Sequence, residues 1–176
     1  MNARTLQRIN LALLAALYAA PAVAYLRLRG HMRIHFDLGG NPELWAGTSL
    51  IPWLLPPVIA TGVFRLLRVA TGASDRHPEQ WNIPEKERFL SLSPEARAPI
   101  VARLNAFLAL GSVLVTALLG TVQLEMFLAA TAPHGTAAPW LIPAAVLVTL
   151  VATGVAAALM SKWVGREIRE AHRLCS

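Results

Sequence analysis

LNAFLALGSVLVTALLGTVQLEMFLAA, residues Leu104 to Ala130, decides the fold class: 27 residues with a single charge, Glu125. A bilayer core about 30 Å thick needs roughly 20 consecutive apolar residues in a helix, and this run exceeds that. Three further runs meet the same condition. They extend from Ile9 to Leu26, Leu50 to Leu67 and Trp140 to Met160, the first two near the lower length limit. In hydrocarbon the backbone must satisfy its own hydrogen bonds, so each run is predicted to be a helix. Pro21, Pro52, Pro56 and Pro57 are expected as kinks, because neighbouring helices can re-satisfy the freed carbonyls. The expectation is an all-α integral membrane four-helix bundle, one membrane domain over residues 1–176, with the lipid bilayer as its main partner.

Composition agrees. The chain is 55% hydrophobic and 15% charged, with mean hydropathy +0.49, too apolar for a soluble domain of 176 residues. Its net charge of +6 lies beside the apolar runs rather than in one groove-reading stripe, which argues against nucleic acid as a partner. Cys175 is the single cysteine, so an internal disulfide and a cysteine-based zinc cluster are both excluded.

Charge distribution also sets an expected orientation. Arg4 and Arg8 precede the first run. Arg65, Arg68, Arg76, Lys86, Arg88, Arg97 and Arg103 lie in or beside the second loop, and Lys162, Arg166, Arg169 and Arg173 follow the fourth run. Thirteen of the sixteen basic residues thus share one side, leaving Arg27, Arg29 and Arg33 opposite. Both termini are therefore expected in the cytoplasm. Trp45, Trp53 and Trp140 are expected in the outer aromatic belt and Trp163 in the inner one. The first run also fits a signal peptide with Ala22-Val23-Ala24 as an A-x-A cleavage site, which the mass of the mature N-terminus would decide.

Between the first two runs lies IHFDLGGNPELW, Ile34 to Trp45. Ile34 to Asp37 suits a short extended segment, Gly39-Gly40 a tight turn, and Asn41-Pro42 another. An ordered extracytoplasmic loop is expected here. This stretch resembles a bacterial membrane family, the domain of unknown function 1648 family, whose domain also forms the N-terminal part of SdpI-type immunity proteins. Its pattern is of the type P-x-H-F-x-x-x-G-x-P-D-x-W/Y. His35, Phe36, Gly40, Pro42 and Trp45 match, and Glu43 stands for the usual Asp. Arg33 replaces a usual Pro, and Leu44 and Ala46 replace usual glycines. On the other side Asn82-Ile83-Pro84, followed by Lys86, Phe89 and Leu90, is similar to the N-[IL]-P-x-[KR]-x-Y-W-L segment of the short four-span members, with Arg88 and Phe89 in place of the aromatic pair. Gln123-Leu124 also fits this group. The resemblance implies a helical bundle in a bacterial inner membrane. Toxin immunity or envelope signalling follows only by analogy.

The function expected is therefore non-enzymatic: recognition of a ligand, peptide or protein partner by His35, Phe36, Asp37, Gly40, Pro42 and Trp45. The cytoplasmic loop from Ala73 to Pro99 mixes both charge signs and is expected to be solvated, while Asn82, Ile83 and Pro84 suggest an ordered cytoplasmic docking segment within it. No motif calls for a cofactor. Two alternatives compete with this reading. One is a metal-dependent enzyme using His31, His35, Asp37 and His134. HMRIH spaces two histidines like a zinc-protease helix, but Met32 stands where the general-base Glu belongs, and Gly30 and Gly39-Gly40 oppose a helix. The other is a small transporter subunit acting as a homo-oligomer, with Gln123 and Glu125 as its intramembrane polar residues. Glu125 is the one acidic residue inside a run. Being close to the outer end, it is expected to reach the interface or to pair with Arg27, Arg29 or Arg33.

Asn105, Ala109, Ser112, Thr116, Gly120 and Gln123 recur at helical spacing and form one small and polar face on the third helix. Thr149, Ala152, Thr153 and Ala156 on the fourth helix are the expected partner face. Ser93-Pro94-Glu95 is an N-cap followed by proline at the first helical position, so a helix is expected to start there and run into the third span, with a bend at Pro99.

Overall fold

The computed structural model describes residues 1–27, 31–36, 42–47, 50–131, 138 and 140–175, and in the two strands only the backbone is considered. Four long helices carry the four apolar runs: α1 (Ala3–Arg27), α2 (Leu50–Arg76), α4 (Pro94–Thr131) and α5 (Leu141–Cys175), with the short α3 (Lys86–Ser91) between α2 and α4. All four long helices are long and apolar enough to cross a membrane. The protein is an all-α membrane bundle, and its helices outrun their apolar runs at the charged end. At 1.5 Å per residue the 38 residues of α4 reach about 57 Å, well beyond the hydrocarbon core.

Local chemistry explains the helix starts. Asn2 caps α1: its Oδ1 accepts from the Thr5 backbone N–H and from the Thr5 hydroxyl, both at 2.9 Å. Ser93 caps α4, its Oγ accepting from the Ala96 N–H at 3.3 Å, with Pro94 as the first helical residue. The helix passes through Pro99 and continues into the third span, as the cap predicts. Pro21 lies within α1, and Pro56 and Pro57 lie within α2. Pro52 is in the first turn of α2, where a missing N–H costs little.

Between α1 and α2 the backbone forms an antiparallel ribbon of β1 (His31–Phe36) and β2 (Pro42–Gly47). His31 stands opposite Gly47, Met32 opposite Ala46, Arg33 opposite Trp45, His35 opposite Leu44, and Phe36 opposite Pro42. The register shifts twice, between Arg33 and His35 and again between His35 and Phe36, leaving Ile34 and Glu43 outside the pairing.

Packing falls into three zones. At the charged end Phe89, Leu92, Ile100, Leu104, Val164 and Ile168 form a core that Trp81 and Ile83 flank. Midway, Leu14 and Leu17 of α1 meet Ala60 of α2, with Phe64 and Leu119 beside them. Towards the ribbon, Ala24 and Trp53 pack with Met126, Phe127 and Ala130.

One expectation is overturned. The small and polar face of α4 is turned to α1 and α2 instead of α5. Ser112 accepts from Asn10 of α1, Gln123 donates to the Trp53 carbonyl of α2, and Leu17 of α1 lies over Gly120. The apolar half of α5 has no buried residue in its most hydrophobic stretch, and α5 meets α4 through Val164 and Ile168 at the charged end. Periodicity groups side chains on a face, but it does not say which neighbour that face meets.

Candidate functional site

The two ends of the bundle differ in kind. The ribbon end holds four residues of the expected recognition site: His35 and Phe36 in β1, and Pro42 and Trp45 in β2. The register brings the Phe36 and Pro42 backbones opposite each other and sets Trp45 against Arg33, so four of the six residues share one ribbon. Asp37 and Gly40 lie outside the described residues. The strand also bears on the metal reading. His31 and His35 are four residues apart in β1, and at about 3.3 Å per residue some 13 Å of strand separates their backbones, against roughly 6 Å on a helix. The spacing that makes HMRIH resemble a metal helix is therefore lost. Among the described residues no three His, Cys, Asp or Glu side chains gather. Asp37, His134 and the side chains of His31 and His35 lie outside them.

Beneath the ribbon, Trp53 was expected in the aromatic belt, yet it is only 2% exposed. It packs with Ala24 and meets Phe127 edge to face, ring centroids 6.5 Å apart. Its carbonyl accepts from Gln123 Nε2 at 2.9 Å. Pro57 has no N–H to offer the Trp53 oxygen four residues before it, and Gln123 supplies a donor there.

Gln123 and Glu125, the intramembrane polar residues of the third span, are two residues apart, which turns a helix by about 200°, so they face different ways. Gln123 serves the α2 carbonyl. Glu125 does not reach solvent, being 5% exposed, and neither carboxylate oxygen has a hydrogen-bond partner among the described residues. The side chains of Arg27, Arg29 and Arg33 lie outside those residues. A carboxylate so placed is costly unless something neutralises it.

Between α1 and α4 a groove of about 710 Å³ opens sideways, walled by Ala16, Ala20 and Val23 on α1 and by Ala117, Gly120 and Leu124 on α4. Deeper on the charged side of the spans, Asn10 donates to Ser112 Oγ at 3.0 Å and Arg68 donates to Gln7 Oε1 at 2.9 Å. Asn10 is 0% exposed. Sequence reasoning passed over it. The available signal was a lone amide early in an apolar run, where an unpaired polar group is expensive.

At the charged end, two residues of the Asn82-Ile83-Pro84 segment lie against other parts of the chain. Ile83 packs against the core around Phe89, and Pro84 lies beside Gly165 of α5. Asn82 is exposed. Glu85 follows with φ 54°, a left-handed conformation that an L residue adopts only when held. Arg88 donates to its Oε2 at 2.7 Å, and Arg169 of α5 donates to its Oε1. The Arg169 hydrogen bond is the main reason the Glu85 carboxyl titrates below its ordinary range; partial burial opposes it, and Arg88 adds to the lowering. Nearby the Arg103 guanidinium stacks over the Trp163 ring at 4.3 Å.

No family model, curated protein or solved structure matches the chain.

Proposed function

We propose that this is a non-enzymatic multi-pass protein of a bacterial inner membrane whose β1–β2 ribbon binds a ligand, peptide or protein partner on the outer face. The single observation that carries this reading is the ribbon itself: the bundle's one stretch of paired strands among the described residues, at the end opposite the charged core. In a two-stranded ribbon each strand has one edge that is unpaired within the ribbon, and such an edge can accept an extended peptide as a further strand. The match of His35, Phe36, Gly40, Pro42 and Trp45 to the family pattern supports the same place. Toxin immunity and envelope signalling are the forms of recognition that the SdpI resemblance suggests. Thirteen of the sixteen basic residues at the other end support cytoplasmic termini.

The test uses intact membranes. A photo-crosslinker beside the ribbon captures the partner from wild type, and Gly40→Val is expected to abolish capture at unchanged membrane abundance. Equal capture by the variant defeats the proposal.

A second reading is favoured by Glu125, a carboxylate enclosed within a span. In it the protein is a small transporter subunit, and Glu125 carries or coordinates a cation. Flux in reconstituted vesicles should then collapse in Glu125→Gln. Flux that is unchanged in the variant removes this reading.

A further inference from the structure

A small cavity of about 10 Å³ lies where α1, α2 and α4 meet on the charged side of the spans. Its polar lining comes from Gln7, Asn10, Arg68, Thr71 and Ser112, three helices contributing. Asn10 is fully buried, and while its Nδ2 is used on Ser112, its Oδ1 accepts no hydrogen bond. An orphaned buried acceptor forfeits its hydration without compensation, so a structure that retains one generally supplies a donor. Turning the amide over does not remove the need. Oδ1 would then accept from the Ser112 hydroxyl, and Nδ2 would become the orphan.

We propose that this cavity is a binding site for one water molecule, held by Asn10 and Ser112 and facing the Arg68–Gln7 pair. Size and chemistry both select water. A site needs about 10–15 Å³ of this measure and two to four polar partners to hold one water, and this cavity offers that and no more. The guanidinium of Arg68 in the lining repels a small cation. The free carbonyl oxygen of Asn10 repels an anion. A neutral molecule that both donates and accepts satisfies the two at once. The site is independent of the ribbon and of Glu125, and it would make the joint between α1, α2 and α4 a hydrated one. A direct apolar contact there would instead lock the three helices by shape alone.

Solid-state NMR of the labelled protein in phospholipid bilayers tests it by following magnetisation from water into side chains. The Asn10 side-chain amide is expected to receive water magnetisation several-fold faster than that of Gln123, which is also buried but is bonded to the Trp53 carbonyl. Asn10→Leu, which fills the space and removes both polar atoms, should abolish fast transfer to Ser112. An Asn10 amide as slow as Gln123, or a Ser112 signal that survives Asn10→Leu, overturns the proposal. If Asn10→Leu does not insert, the wild-type comparison of the Asn10 and Gln123 side-chain amides decides alone: faster transfer to Asn10 supports the site, and equal transfer refutes it.

Discussion

The charged end and the membrane interior of this bundle are packed from different residues because they are packed from different solvents. At the charged end the buried side chains are large: Phe89, Leu92, Ile100, Val164 and Ile168. They leave water on folding, and each square ångström of apolar surface buried there is worth about 25 cal/mol. Between α1, α2 and α4 inside the spans the mix changes: beside Leu14, Leu17 and Trp53, the small or polar Ala24, Ala60, Ala109, Ser112 and Thr116 are buried, and Asn10 and Gln123 make cross-helix hydrogen bonds. Lipid is as apolar as leucine, so burying apolar surface from it yields no hydrophobic gain, and close approach with a few hydrogen bonds must do instead. One chain therefore follows soluble-protein rules at one end and membrane rules in the middle.

Substitutions can break that contrast. Phe89→Ala should be the most damaging, costing about 3–5 kcal/mol as expected for a phenylalanine taken from a water-excluding core, read as a lowered unfolding midpoint in detergent. Leu17→Ala, buried in the spans, should cost clearly less because its transfer term is missing. Equal losses would erase the distinction between the two regions.

Gln123→Leu sharpens the membrane side. It removes the bond to the Trp53 carbonyl, and its expected cost is about 0.6–2 kcal/mol, the range of interhelical hydrogen bonds in bilayers. A larger loss would mean that the proline-containing turn of α2 depends on it. On the water side, Gly165→Ala should raise stability by about 0.5–1 kcal/mol. Its new Cβ meets Arg169 Nη1 at 3.5 Å and Pro84 Cβ at 3.9 Å, both ordinary contacts, and glycine is a poor helix former. Destabilisation instead would show that the docked segment tolerates no added atom.

The smallest effect should be the pH response of Glu85. Its folded-state carboxyl titrates below the ordinary value of 4.5, so its contribution is complete above that value and is lost as pH falls through the lowered one. Hydrogen-exchange protection over residues 81–92, taken relative to the intrinsic rate at each pH, should fall in acid in wild type. In Glu85→Gln it should already be low at neutral pH and change little. A wild-type profile that is flat down to acid would show that the ion pairs do not hold the segment.

Much of this was legible beforehand, and the illegible parts share a cause. Spans can be read because hydrocarbon demands a continuous apolar run, and the start of α4 can be read because Ser93-Pro94 is a local capping instruction. Trp53 misled because a tryptophan at a span boundary suits either the headgroups or the bundle interior, and only packing against Ala24 and Phe127 selects between them. That Ile83 packs on the core around Phe89 and Pro84 lies beside Gly165 of α5 could not be read from Asn82-Ile83-Pro84 alone, because the neighbour is distant in the chain.

By itself the sequence determined the number of crossings, the small and polar face of α4 and the separation of charge to one end, since each depends on residue type at fixed helical spacing. The tertiary structure alone decided that this face meets α1 and α2, that Glu125 is enclosed, and that Asn10 is left with an unfilled acceptor beside a cavity the size of one water. Those are properties of neighbours distant in the chain, and spacing along one helix carries no information about which helix stands opposite it.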